Sequence, residues 1–387
     1  MTAPAAIDSV ERRGRVGRLQ GELRRRGLDA ALVTERANFE YLAGYVVGPL
    51  WSSYTRILAA LVPADGNPTL LLPGFIAEEA RAESGWEVEA YDSLDRGAAD
   101  LMAGLLETAG LRSGRIGLEL GRESRLAAPA GELERLRGTL PGAAFDDGTA
   151  ALWAVRAIKS RPEIERLRIA CRANAAGFAA GFGRAQAGAS ERTVAAEMLA
   201  AGTTAGTALG AWVQPGWIGM TSGAAGYARF VGGPRDRALE PGDMLWADLG
   251  FTADGYWSDY CRAAVVGGPS PQQVDRQRRI AQATTAGVAM CRPGVAIADI
   301  AREVRRSSER LGLAGLGFGR LGHGIGLNAT EPPSVVEHDR TVLGAGMVVT
   351  IEPAATYADG LYCAEQIVIV GDPPELLSTE PSELRSI

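Results

Sequence analysis

The chain has 387 residues, 46% hydrophobic and 22% charged, a soluble globular composition with enough apolar material for two or three domains. Forty basic residues against 46 acidic give a formal net charge of −6, which excludes a basic nucleic-acid groove or an anionic-membrane binder. No apolar run at the N-terminus marks a signal peptide. The four cysteines, Cys171, Cys261, Cys291 and Cys363, are widely spaced with no CxxC pair, so reduced thiols in the cytoplasm are expected.

Residues 10–27 place Val16, Leu19 and Leu23 at helical spacing. Short apolar runs at 30–33, 57–62, 69–72 and 115–120, with a helical stretch at 98–109, predict an α/β domain of Rossmann-like character. Residues 38–44 read as strand-like. No GxGxxG follows a strand, so no dinucleotide site is indicated. Residues 152–162 read as a connector and divide the chain near residue 155. Pro162 then opens a long helix with Ile164, Leu167, Cys171 and Phe178 on one face. Residues 198–228 carry no formal charge, but their glycines, threonines, Gln214 and Pro215 suit a pocket-lining loop or strand, not a membrane span. Helices near 190–201, 271–290 and 297–311 interleave with strands at 244–250, 256–266, 346–352 and 361–370, an α+β pattern. The last dozen residues read as a polar tail.

An internal repeat concentrates the chemistry in this second part. Asp248, Asp254-Gly255 and Asp259 are matched by Glu352, Asp359-Gly360 and Glu365. Asp-Gly between apolar runs predicts a two-residue hairpin. With Asp254-Gly255 as the turn, paired positions sum to 509, and Asp248 and Asp259 become diagonal neighbours on one face. With Asp359-Gly360 as the turn, positions sum to 719, and Glu352 lies diagonal to Glu365. One such hairpin is readily explained as solvated surface acids. Two, each preceded by an apolar run, require a compensating cation or proton. His323, one of only two histidines, sits between Gly322 and Gly324 and supplies a nitrogen donor. His338 lies in a polar stretch and reads as a surface residue. Four carboxylates and one imidazole suit two divalent ions of the Mn, Fe, Co or Zn kind. Such a pair generates a bridging hydroxide and polarises a carbonyl.

The order Asp, Asp, His, Glu, Glu resembles the pita-bread metallohydrolase superfamily. The segments at 31–44 and 156–163 are similar to its creatinase/prolidase/Xaa-Pro aminopeptidase branch. The resemblance implies an α/β creatinase-like N-terminal domain (1–155) and an α+β pita-bread catalytic domain (156–387) with an internal pseudo-twofold repeat. It further implies that Asp248 binds one ion, that Asp259 and Glu365 bridge both, and that His323 and Glu352 complete the second, with Glu352 accepting the proton of the nucleophilic water. The surroundings depart from the branch. Tyr227 and Arg229 stand where a histidine is usual before the first Asp. Thr330 precedes Glu331-Pro332-Pro333 where another histidine is usual, and Cys363-Ala364-Glu365-Gln366 replaces Arg-x-Glu-Asp. Tyr227, Arg229, Thr330 and Glu331 are therefore the candidate substrate-binding residues, with Arg229 suited to a substrate carboxylate.

Three readings follow. The first is a dinuclear Xaa-Pro dipeptidase or aminopeptidase. The second is a non-peptidase of the same fold, such as a small-amide or amidine hydrolase or a dimethylsulfoniopropionate-type lyase. The third, a metal-free binding protein, is disfavoured by the five retained ligand types. The resemblance also implies a homodimer in which the N-terminal domain of one subunit edges the partner's pocket; Trp51 and Arg56, in a turn-rich segment after a Gly-Pro break, suit reaching that site and its small-molecule or dipeptide substrate.

Overall fold

The computed structural model describes residues 7–47, 56–92, 96–227, 229, 232–313 and 319–387. It comprises two compact units, Ala6–Arg156 and Ala157–Ile387. The segment expected to carry Trp51 lies outside the described residues.

In the first unit, α1 (Ser9–Arg26) starts at Asp8, whose carboxylate accepts the Val10 and Glu11 N–H groups, and stops at Gly27 with φ 64°. Strands β1 (Ala30–Val33), β2 (Ala59–Pro63), β3 (Thr69–Pro73), β4 (Glu87–Tyr91), β5 (Arg115–Leu118) and β6 (Ala144–Asp147) form one sheet in the order β4-β3-β2-β1-β5-β6. The sheet is mixed, β2 running antiparallel to both β1 and β3. Residues expected to be strand-like form a helix instead, α2 (Arg36–Ala43). The reason is capping from a distance. Glu119, almost fully buried, accepts the Thr34 and Glu35 N–H groups at 2.7 and 2.9 Å and the Asn38 side-chain N–H at 2.8 Å. Glu35 itself caps Asn38 N–H at 3.0 Å, and these donors are satisfied only by a helical start. Helices α3 (Ala77–Ser84), α4 (Ala98–Thr108), α5 (Ala130–Thr139) and α6 (Thr149–Arg156) complete the unit, so half of the expected connector is helical. Leu101, Leu105 and Leu106 of α4 pack on Leu32, Leu61 and Ile116 of the sheet.

The second unit opens with α7 (Arg161–Arg184), where Pro162 occupies the first turn and Glu163 accepts Ser160 N–H at 2.8 Å. The uncharged stretch becomes the end of α8 (Glu191–Thr207) and the strand β7 (Val213–Ser222). Next come β8 (Met244–Ala253), β9 (Tyr256–Trp257), β10 (Tyr260–Val265), α9 (Pro271–Ala289) and α10 (Ile297–Arg310). After them run β11 (His323–Gly324), β12 (Glu331–Ser334), β13 (Val348–Ile351), β14 (Ala354–Tyr357), β15 (Gly360–Cys363), β16 (Gln366–Ile369), β17 (Glu375–Leu376) and β18 (Arg385–Ser386). One sheet has the order β18-β10-β8-β7 with β9 on β8, a second β12-β11-β13-β16-β17, and β14-β15 form a third. The expected polar tail is thus partly a strand, β18, on the edge of β10. No helix among the described residues is long and apolar enough to cross a membrane.

The two hairpins carry the site. In the first, every pairing sums to 509, from Ala253 opposite Tyr256 to Asp248 opposite Cys261. Asp254 and Gly255 both have positive φ, 46° and 85°, the signature of the two-residue turn whose twist suits a hairpin. In the second, the sum is 717, not 719: Tyr357 faces Gly360, Ala354 faces Cys363 and Ile351 faces Gln366. The turn is Ala358-Asp359. Gly360 is a strand residue whose missing Cβ makes room for the Met244 sulfur, which a Cβ would meet at 2.5 Å. The corrected register makes the repeat regular, with Asp248 and Glu352, like Cys261 and Glu365, 104 positions apart.

Candidate metal centre

Continuing the 717 register past β14 and β13 puts Glu352 directly opposite Glu365. Asp248 faces Cys261, and Asp259 lies two residues before Cys261 on the same face. The strands break at Ser258-Asp259 and at Ala364-Glu365, so two of the four acids leave the ladder and turn toward the centre. His323 comes from β11 beside β13, its Nε2 3.4 Å from Glu352 Oε1 and 3.7 Å from Asp259 Oδ2. The backbone can fold this closely because a Cβ on Gly324 would run into the Pro332 carbonyl oxygen. His323 Nδ1 is 2.9 Å from the Gly324 carbonyl oxygen, to which only a protonated nitrogen can donate, so the lone pair is on Nε2 and faces the acids. Asp248, Asp259, His323, Glu352 and Glu365 are thus brought together as one cluster.

Burial dominates its electrostatics. It pushes Asp259 up to about 7 against the Trp217 indole N–H and the Arg320 guanidinium, which act the other way. Burial, reinforced by Asp259, pushes Glu352 up to about 8. Burial and the neighbouring acids hold Asp248 and Glu365 well above the usual carboxylate range. Burial and Arg320 lower His323 to about 4, so it is neutral at pH 7. Asp248 Oδ1 is buried with no hydrogen-bond partner. A buried acid oxygen without a donor, among three further acids and a neutral imidazole, fits divalent cations. The ligand atoms of Asp259, His323 and Glu365 lie within 4.8 Å of one another, as do those of Cys261, Cys363 and Glu365.

The expected substrate residues are dispersed. Tyr227 is 3% exposed in the core under β8, and its hydroxyl accepts Met244 N–H at 2.9 Å. Glu331 is 1% exposed and ion-paired at 3.2 Å with Lys159, the chain's only lysine. Both are wall components, held by neighbours the sequence does not place beside them. Arg229 is exposed, as is His338. Thr330 accepts a hydrogen bond from Arg320 at 3.0 Å. Arg56 lies in the first unit, where its charge acts on Tyr91. Arg320, whose charge bears on Asp259, Glu352 and His323, was not legible in the sequence: its only signal is a position three residues before the histidine.

The family model for metallopeptidase family M24 matches residues 165–372, and that for the creatinase/prolidase N-terminal domain matches 15–158. The chain is 30% identical over 328 residues to the Xaa-Pro dipeptidase of Pyrococcus horikoshii, covering 84% of this chain and 85% of that protein. It is 27% identical over 342 residues to the Xaa-Pro dipeptidase of Lactobacillus helveticus, covering 87% and 88%. Among solved structures, dipeptidase PepE from Mycobacterium ulcerans superposes with a TM-score of 0.85 at 26% identity, covering 99% of this chain and 100% of that one.

Proposed function

The chain belongs to metallopeptidase family M24, with a creatinase/prolidase N-terminal domain, and from that premise we propose that it hydrolyses Xaa-Pro dipeptides at a dinuclear metal centre. The observation that carries the reading is the convergence of four carboxylates, Asp259 and Glu365 buried and Asp248 and Glu352 half-buried, with one Nε2-directed imidazole, one Asp248 oxygen having no hydrogen-bond partner. Asp259 and Glu365 would each serve both ions, Asp248 the first, and His323 and Glu352 the second. Two bound divalent ions would acidify a water and polarise an amide carbonyl. Burial pushes the Glu352 carboxyl up to about 8 in the metal-free protein, and bound divalent ions would displace that proton. The ionised carboxylate would then be suited to take a proton from the attacking water and return it to the leaving proline nitrogen. His323 stays neutral throughout. Arg320, which donates to Thr330, and the exposed Arg229 would be the cations to offset the substrate's terminal carboxylate.

A second reading, hydrolysis of a small non-peptide amide, is favoured by one fact. The chain has two histidines and His338 is exposed, so His323 alone brings an imidazole to the centre. We further propose a cytoplasmic homodimer, with Trp51 or Arg56 reaching the partner's centre. Metal-reconstituted protein assayed on Xaa-Pro dipeptides beside small amides tests the substrate. Hydrolysis of the amides alone would select the second reading. Asp259→Ala and Glu365→Ala should each lose metal and activity together. Full metal occupancy in both variants would remove the assignment.

A further inference from the structure

We propose that the two ion positions are chemically unequal, and that Cys261 and Cys363 give the position beside Asp248 a sulfur coordination that the other lacks. The inference rests on the metal-centre reading above and deepens it.

The donor groups divide around Glu365. On one side its carboxylate lies within 4.8 Å of the Asp259 and His323 donors, with Glu352 Oε1 a further 3.4 Å from the imidazole. On the other it lies within the same reach of both cysteine sulfurs, which are themselves that close to each other. The register explains the second group. Cys261 is the cross-strand partner of Asp248, and Cys363 precedes Glu365 by two residues and so shares its face. The repeat makes them counterparts: Cys261 occupies the position equivalent to Glu365, and Cys363 the position equivalent to Asp259. Both are buried, at 0% and 3% exposure, and neither is in a disulfide. Cys261 N–H also donates to Glu365 Oε2 at 3.1 Å, locking thiol and carboxylate together.

Buried cysteines commonly act as small apolar fillers, and these two do border an apolar cluster with Trp246 and Ala354. The independent observation is Asp248 Oδ1, buried without a hydrogen-bond partner on the residue that pairs across the strands with Cys261. Together with the two thiols and the shared Glu365 carboxylate, that oxygen would complete a mixed sulfur–oxygen donor set. Thiolate donors favour zinc and cobalt over manganese, whereas the Asp259–His323–Glu352 side suits manganese as well. The two positions should therefore differ in metal preference.

The test uses the full-length, reduced protein loaded with cobalt(II) alone and, separately, with zinc(II) alone. Cobalt should give intense near-ultraviolet thiolate-to-metal charge transfer beside its weaker visible bands, and X-ray absorption of the zinc form should contain a sulfur shell at about 2.3 Å. Cys261→Ser/Cys363→Ser should abolish the charge-transfer band but keep visible cobalt bands from the oxygen–nitrogen side. Because the zinc measurement needs no variant, misfolding of the double variant cannot rescue the proposal. Stoichiometric metal with oxygen and nitrogen scatterers only would overturn it and leave the metal centre standing. Failure of the wild type to bind either metal would overturn both.

Discussion

Asp259 shows what burial does to a single acid: an exposed aspartate is ionised well below pH 5, yet this one is pushed up to about 7 and Glu352 to about 8. Metal-free protein must then carry protons that its unfolded chain has already shed. Between about pH 4 and 8 the folded state binds more protons than the unfolded state, so its stability falls as pH rises through that range. Metal loading requires those protons to leave, so its benefit grows in the same direction. The expected outcome is that the difference in melting temperature between manganese-loaded and chelator-treated protein is small at pH 5 and widens toward pH 8. Thermal scans at several pH values check this, and a pH-independent difference would contradict it. His323, lowered from 6.5 to about 4, acts the other way between those values, but one imidazole is outweighed by the raised acids.

The elements explain why so many acids tolerate one another. Helix α7 holds the first hairpin from below: Asn174 accepts from Ser258 Oγ at 2.9 Å, Glu163 accepts from Tyr256 OH at 2.9 Å, and Arg166 lies 3.3 Å from Asp254. Arg262 joins the two hairpins, its Nη1 donating to the carbonyl oxygens of Cys261 at 2.7 Å and Glu365 at 2.9 Å. Charge-assisted bonds to buried carbonyls contribute about 1.5–3 kcal/mol each. Arg262→Met should therefore cost about 2–4 kcal/mol in urea unfolding and weaken metal affinity about tenfold or more, although Arg262 touches no ion. Unchanged metal affinity would show that the hairpins are aligned without it. The first hairpin was legible because Asp254-Gly255 adopts the positive φ pair that Asp-Gly announces. The second misled because its Asp-Gly straddles the end of the turn, Gly360 being glycine for the sake of Met244. The error of two left the face of each acid unchanged, so the five side chains could still be picked out. Helix α2, Arg262 and the thiol pair were not legible because each depends on partners at least 81 residues away, and Arg320 because the acids it acts on come from other parts of the fold.

For the whole molecule, the proposed dimer makes a separate demand. Trp51→Ala/Arg56→Ala protein mixed with Asp259→Ala protein should regain activity, since a mixed dimer would hold one pocket built from two intact halves. Continued inactivity with subunit exchange confirmed, or a monomer by light scattering, would rule the shared site out. The internal repeat also constrains how such a chain can change length. Apart from β11, which carries His323 and pairs with β13, residues between the hairpins lie outside their pairing, so insertions there that spare β11 leave the donors where they are. Within a hairpin a single inserted or deleted residue would throw every following donor to the opposite face, whereas two at the turn would only lengthen the ladder. The two registers, summing to 509 and 717, are both odd. Length variation in descendants of this chain should accordingly collect in the segment between the hairpins and, inside them, come in pairs.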